Sequence, residues 1–428
     1  MTARLLTPHR VLFAVTSVVD LEHIAAHVDH LLLQGWLVDV MVCEGAEGTL
    51  FPRAAVHSID LRQGHGPFAE ARALQRTTAL IRDLRPDVVV AATSAAAPLA
   101  LTAARAARVP HRIYWIWPQE PLSGEGSHRA RRMRRRAAES AATRAATVTL
   151  AASTALADDM AHRSEQRPLV LGFGSVAGVD LDIFYPADEE PRYSGDLGAQ
   201  LAPLAEPSPP PTRTPTAIIL GPLSAQHGLD LLTEVWPQVA AQVPDANLVI
   251  AGEPDPRDPP GAALDFLAAH PGVQVVGAAA DASELLRRAH VLLVPDPHGG
   301  PTDRVLEAAA TAVPAVAWDS GGTRDAISEH VTGILCPQGD VSAYAEAVAT
   351  LLKDPALTRG MGMAAREFVS QRFDSTVVAE LLAELLLGLV SESASGALSL
   401  TDEPVLTLEG GAPTEINLSD SAARRTRR

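Results

Sequence analysis

The chain has 428 residues, 47% of them hydrophobic and 20% charged, with a formal net charge of −16. That length supports two core-forming domains and a tail, and the balance suits a water-soluble globular enzyme. The acidic excess excludes a general nucleic-acid binder, and no stretch offers about 20 uninterrupted apolar residues for a membrane span.

Cys43 and Cys336 fall in different halves of the chain. They point to a reducing compartment without a disulfide framework. The apolar run Val11–Val19 is short, lacks a clear cleavage site and reaches Asp20, so no secretory signal is expected. These features predict a cytoplasmic location. Lys353 is the single lysine, so nearly all positive charge is arginine.

Arg10–Thr16 reads as a buried strand. A helix follows, with Asp20 placed to cap it, an apolar stripe of Ile24, Val28, Leu31 and Leu32, and Gly35 placed to end it. Leu37–Cys43 is the next strand, which completes a Rossmann-like opening. The loop between them, Thr16 to Val19, has no glycine. Side chains there block close backbone approach, so it is a poor phosphate cradle. A further helix and strand carry Arg85-Pro86-Asp87-Val88-Val89.

Residues 111–120 (HRIYWIWPQE) form a strand and its exit. Ser17, Trp117, Gln119 and Glu120 are candidate ligand contacts at strand ends. Two core tryptophans and a solvated loop are an equally weighted reading. Arg129, Arg131, Arg132, Arg134, Arg135 and Arg136 lie on one helix. The run reads first as a solvated face and second as a peripheral contact with anionic membrane. Residues 171–186 (LGFGSVAGVDLDIFYP) close the first domain, and 188–215, with its PSPPPTRTP run, is a stiff linker with a disordered excursion.

The second domain opens with a strand and a turn carrying Gly221, Leu223, Gly228, Leu231 and Leu232. Gly277, Glu284, Leu285, Leu286 and Ala289 follow another strand. Val291–Val294 is a short apolar strand, and PDPHGGPT after it is irregular by its prolines and glycines. The next helix carries Glu307-Ala308 and Ala310. AVAW is a strand, and DSGGT, with Gly321 and Gly322, is a loop. Residues 340–355 and 361–386 read as two closing helices. Val377–Val390 is amphipathic, with Glu380 and Glu384 on one face. Residues 391–428 are polar and aperiodic, which predicts a disordered tail.

In their order, these motifs resemble the retaining glycosyltransferases of family 4, which have the GT-B fold. The resemblance implies two facing Rossmann-like domains with parallel sheets. They would span 1–187 on the acceptor side and 216–372 on the nucleotide-sugar side. A linker at 188–215, a helix at 373–390 that returns to the first domain and a tail at 391–428 complete the plan. It further implies a metal-independent transfer from a nucleotide sugar, used as co-substrate with no cofactor, to an unidentified acceptor. Glu307 takes the position that hydrogen-bonds the ribose. Val276 and Gly277 would offer backbone to the base. Gly221, His298, Gly300, Thr302, Gly321 and Gly322 would line the donor site.

The departures are specific. The family's first glutamate falls on Gly299, leaving backbone or neighbouring His298. Its diphosphate-gripping arginine and lysine fall on Pro222 and His227. Arg304 and Arg324 are the candidate replacements. No catalytic residue stands out. Asp180 and Asp182 belong to a turn, not to a metal site. A non-catalytic relative serving as a protein partner or regulatory subunit is the alternative. The Arg-rich, Lys-poor composition resembles that of high-GC bacteria.

Overall fold

Continuous apolar runs become strands buried on both faces, and in β1 the two faces separate by residue parity. In the computed structural model, residues 8–43, 51, 53–59, 67–93, 95–117, 128–162, 167–189, 214–255, 258–277, 281–297, 302–395 and 405–406 are described. The chain divides into two units. Of the described residues, one holds those up to Ala177 and from Thr376 onward; the other holds Gly178–Ser375.

The first unit contains β1 (Arg10–Ala14), β2 (Leu37–Val42), β3 (Ala55–Ser58), β4 (Val88–Ala92), β5 (His111–Ile116), β6 (Val148–Ala151) and β7 (Leu169–Leu171). They pair parallel in the order β7-β6-β5-β4-β1-β2-β3. Val11 and Phe13 of β1 pack into one core with Ile24, Leu31 and Trp115. Leu12 and Ala14 pack into the other, with Val89, Ala100 and Leu101. Leu382, Leu385, Leu386 and Leu389 join the first of these cores. They come from the helix Ser375–Ser395. Chain order reverses between β1 and β4, which makes their carboxyl ends a place for a ligand crevice.

The expected closing helix over 361–386 is two helices, Pro355–Arg372 and Ser375–Ser395. The break is held by pairing: Val179 N–H donates to Phe373 O at 2.7 Å, and Ser375 N–H donates to Val179 O at 3.0 Å. The first domain was expected to end at 187, but the division falls after Ala177. Arg366 explains the difference. Its buried guanidinium donates to Phe184 O at 3.1 Å and faces Glu189 at 3.4 Å, tying that segment to the second unit. A short strand, β14 (Val405–Leu406), pairs parallel with β7. The stretch expected as a disordered tail therefore begins in helix and contains a strand. The rest of it lies outside the described residues, as do linker residues 190–213.

The second unit contains β8 (Thr216–Leu220), β9 (Asn247–Ala251), β10 (Val273–Val276), β11 (Val291–Val294), β12 (Ala315–Trp318) and β13 (Gly333–Cys336). All pair parallel in the order β10-β9-β8-β11-β12-β13, so the reversal lies between β8 and β11. The buried Tyr344 hydroxyl accepts from Val294 N–H at 2.9 Å and donates to Val316 O at 2.7 Å, bridging β11 and β12. Trp318, its ring tilted against that of Tyr344, donates its indole N–H to Pro295 O at 2.9 Å. Together they fix where the chain leaves β11. Among the described residues, no helix is long and apolar enough to cross a membrane.

Candidate functional site

At the carboxyl ends of β8 and β11 lies a pocket lined by Gly221, Pro222, His227, Val294, Pro295, Asp296 and Arg304, among others. One glycine, Gly221, lines it. Gly252 lies against Gly221, where an added Cβ would fall 1.8 Å from Gly221 O. The loop after β8 spends most of its amides on the chain itself. Gly221 N–H donates to Ala251 O at 3.1 Å and Leu223 N–H to Glu253 O at 2.8 Å. Gln226 N–H donates to Asp258 Oδ2 at 2.9 Å, and His227 N–H to Ser224 Oγ at 3.2 Å. The His227 ring meets the same hydroxyl through Nδ1 at 2.6 Å, leaving Nε2 as the ring atom a ligand could reach.

Arg304 enters the pocket from the helix Thr302–Ala310. Its Nη1 donates to Glu307 Oε2 at 2.6 Å, three residues along the same helix face. Arg324 has a different role. It forks onto Asp319, Nε to Oδ1 at 2.5 Å and Nη2 to Oδ2 at 2.9 Å. That bond holds the Asp319 carboxyl below its usual range. The two arginines that the sequence offers equally are therefore separated, because only Arg304 lines the pocket.

Gly321 and Gly322 are not loop. They form the first turn of the helix Gly321–Ala326, where Ser320 N–H donates to Thr323 Oγ1 at 3.1 Å and Thr323 Oγ1 donates to Trp318 O at 2.7 Å. Val276 ends the edge strand β10, 38% exposed, and Gly277 follows with open space around it. Neither lines the pocket. His298, Gly299 and Gly300 lie outside the described residues, as does the side chain of Thr302. Asp296, buried in the pocket wall, is a residue that sequence reading passed over. The available signal was an acidic residue immediately past the carboxyl end of a buried strand.

In the first unit, Ser17 rather than Asp20 caps the helix Val18–Leu33, and Asp20 completes the capping box. Asp20 Oδ2 accepts from Thr16 N–H at 2.9 Å, Thr16 Oγ1 at 2.7 Å and Ser17 N–H at 2.8 Å. A carboxylate of the chain thus occupies the amides that an anionic ligand would use at this helix start. Trp117 is buried, 5% exposed, with its ring edge-on to His23 at 5.6 Å and to Trp115 at 5.9 Å. That is a core position. Gln119 and Glu120 lie outside the described residues. His27 beside Trp115 is fully buried, with Nε2 donating to Val176 O at 2.7 Å. Burial pushes its pKa down to about 4.

The basic run lies on the helix His128–Ala145. Arg135 pairs with Glu139 at 3.4 Å, and the side chains of Arg129, Arg131, Arg132 and Arg134 lie outside the described residues. Asp180 Oδ1 accepts from the amides of Asp182 at 2.8 Å and Ile183 at 3.2 Å, the geometry of a turn.

Two family models match the two halves of the chain: the glycosyl transferase 4-like domain over residues 21–171, and glycosyl transferases group 1 over residues 214–354. With its two parallel-sheet Rossmann-like units, the chain belongs to the family 4 glycosyltransferases of the GT-B fold. The capsular polysaccharide biosynthesis glycosyltransferase CapM of Staphylococcus aureus is 22% identical, over 83% of this chain and 91% of its own. A glycogen synthase of Mycobacterium tuberculosis is 31% identical, over 42% of this chain and 44% of its own. The chain thus spans under half the length of the first curated relatives it matches, 14% in one case and 44% in another. Among solved structures, Anabaena HepE in complex with UDP-glucose superposes with a TM-score of 0.66 at 18% identity, covering 89% of this chain and 99% of that one.

Proposed function

We propose that the chain transfers a glycosyl group from a nucleoside-diphosphate sugar to an acceptor, with retention of configuration and without a metal ion. The observation that carries this reading is the pocket at the carboxyl ends of β8 and β11, with Arg304 in its wall and Glu307 one helical turn away. A guanidinium there can stabilise the charge that grows on a departing diphosphate, in a site partly withdrawn from water. Glu307 supplies a carboxylate that accepts from ribose hydroxyls. The complex of HepE with UDP-glucose, on the same fold, supports a donor of this class.

A second reading is a non-catalytic partner subunit. It is favoured by one feature: the amides of Gly221, Leu223, Gln226 and His227 in the loop after β8, and those of Thr16 and Ser17, are already bonded within the chain. Thermal unfolding of the whole protein against UDP, GDP, ADP and dTDP and their common sugars separates the two. A donor at 100 times its dissociation constant stabilises by about 2.7 kcal/mol. The transferase reading expects that shift with one nucleotide class, followed by release of its diphosphate on turnover. Silence across the whole panel sinks it in favour of the partner subunit.

A further inference from the structure

We infer that Arg304 has taken over the grip on the donor diphosphate from the loop after β8, while the same guanidinium holds Glu307 in place for the ribose. This rests on the transferase reading. Among the described residues lining the pocket, Arg304 is the one permanent cation, and Asp296 opposes it in sign. Two phosphates entering there need positive charge, and the loop after β8 does not supply it. Pro222 has neither charge nor an N–H. His227 has Nδ1 engaged with Ser224, and its backbone N–H is bonded to the same hydroxyl.

A guanidinium carries five N–H donors in a fixed fork. In Arg304 one donor, on Nη1, goes to Glu307, and the others make no hydrogen bond among the described residues. One side chain can therefore bridge two parts of a nucleotide. It orients the carboxylate that meets the sugar ring and offers its remaining N–H groups to phosphate oxygens. Charge-assisted bonds of this forked kind are the strong ones. Arg324 does not share the task, since it does not line the pocket and its Nε and Nη2 are held by Asp319. Lysine in place of Arg304 would keep the charge and lose the bridge, because an ammonium is a point charge without the planar fork.

The test compares wild type, Arg304→Ala, Arg304→Lys and Glu307→Gln as full-length proteins. The probes are UDP, GDP, ADP and dTDP, each beside its own nucleoside, with calorimetry for the diphosphates and ligand-observed NMR for the nucleosides. Arg304→Ala is expected to weaken the bound diphosphate by about 10- to 150-fold and its nucleoside by a smaller factor, up to about fivefold, as Glu307 loses its brace. Arg304→Lys recovers part of that loss. Glu307→Gln weakens nucleoside and diphosphate by the same factor. Equal losses for both ligands in Arg304→Ala would reduce Arg304 to a support for Glu307 and overturn the inference, as would an unchanged diphosphate affinity. Arg304→Lys guards against a variant that fails to fold: it must bind the diphosphate better than alanine does. A wild type that takes none of the four diphosphates overturns the transferase reading itself, and this inference with it.

Discussion

Gly228 and Pro295 meet backbone to backbone: a Cβ built on Gly228 would lie 2.1 Å from Pro295 O. The contact joins the loop after β8 to the exit of β11, the two walls of the pocket. Gly228 also has φ +82, in the left-handed region. Gly228→Ala therefore combines torsional strain with a clash against backbone that cannot rotate away. Gly339 has the same φ, +82, with nothing within 4 Å of its added Cβ. Gly339→Ala is expected to cost about 1 kcal/mol, and Gly228→Ala about 3 kcal/mol or more. Urea unfolding of the two variants checks this. Equal losses would mean that the walls are not in contact.

The sheets were legible because Val291–Val294 and Val88–Ala92 are apolar runs long enough for a strand and too short for a helix. The helix that carries Glu307 was legible as well. The pairing of the two arginines was not. Arg304 and Arg324 each have an acidic residue within a few positions, and which of them reaches the pocket depends on helix placement and rotamer. The break at Phe373–Asp374 was hidden for a related reason. No proline or glycine marks it, and a partner distant in sequence, Val179, imposes it through two backbone hydrogen bonds. Tyr344 reads as one apolar position of a helix, and nothing nearby in sequence shows that its hydroxyl bridges two strands.

Asp20 holds the Thr16–Ser17 turn as a bound anion would, so its removal has two effects. Asp20→Ala loses three hydrogen bonds and is expected to destabilise the protein by about 1–2 kcal/mol. It also leaves the amides of Thr16 and Ser17 open at the start of a 16-residue helix, where positive dipole gathers. Inorganic phosphate should then raise the melting temperature of Asp20→Ala more than that of wild type. If the two proteins respond equally to phosphate, the carboxylate is not occupying an anion position.

His27 gives the stability of the first unit a pH dependence of known sign. Its ring is fully buried, Nε2 donates to Val176 O, and Nδ1 has no partner. Burial is the main cause that lowers its pKa from 6.5 to about 4; the Val176 carbonyl opposes this, and the charge of nearby His30 adds to it. Between those two values the unfolded chain binds a proton that the folded chain refuses. Stability therefore rises with pH across this window and is lost as pH falls. The folded state should lose roughly 3 kcal/mol through this one group by pH 4. Carboxylates titrate over the same range, so a variant is needed to isolate the effect. His27→Gln keeps an amide that can donate to Val176 O and cannot take a proton. The stability difference between wild type and His27→Gln, followed by urea unfolding from pH 7 to pH 4, should move in favour of the variant by that amount. A difference that stays flat with pH would mean that the unpartnered nitrogen is reached by water, and that burial does not hold His27 neutral.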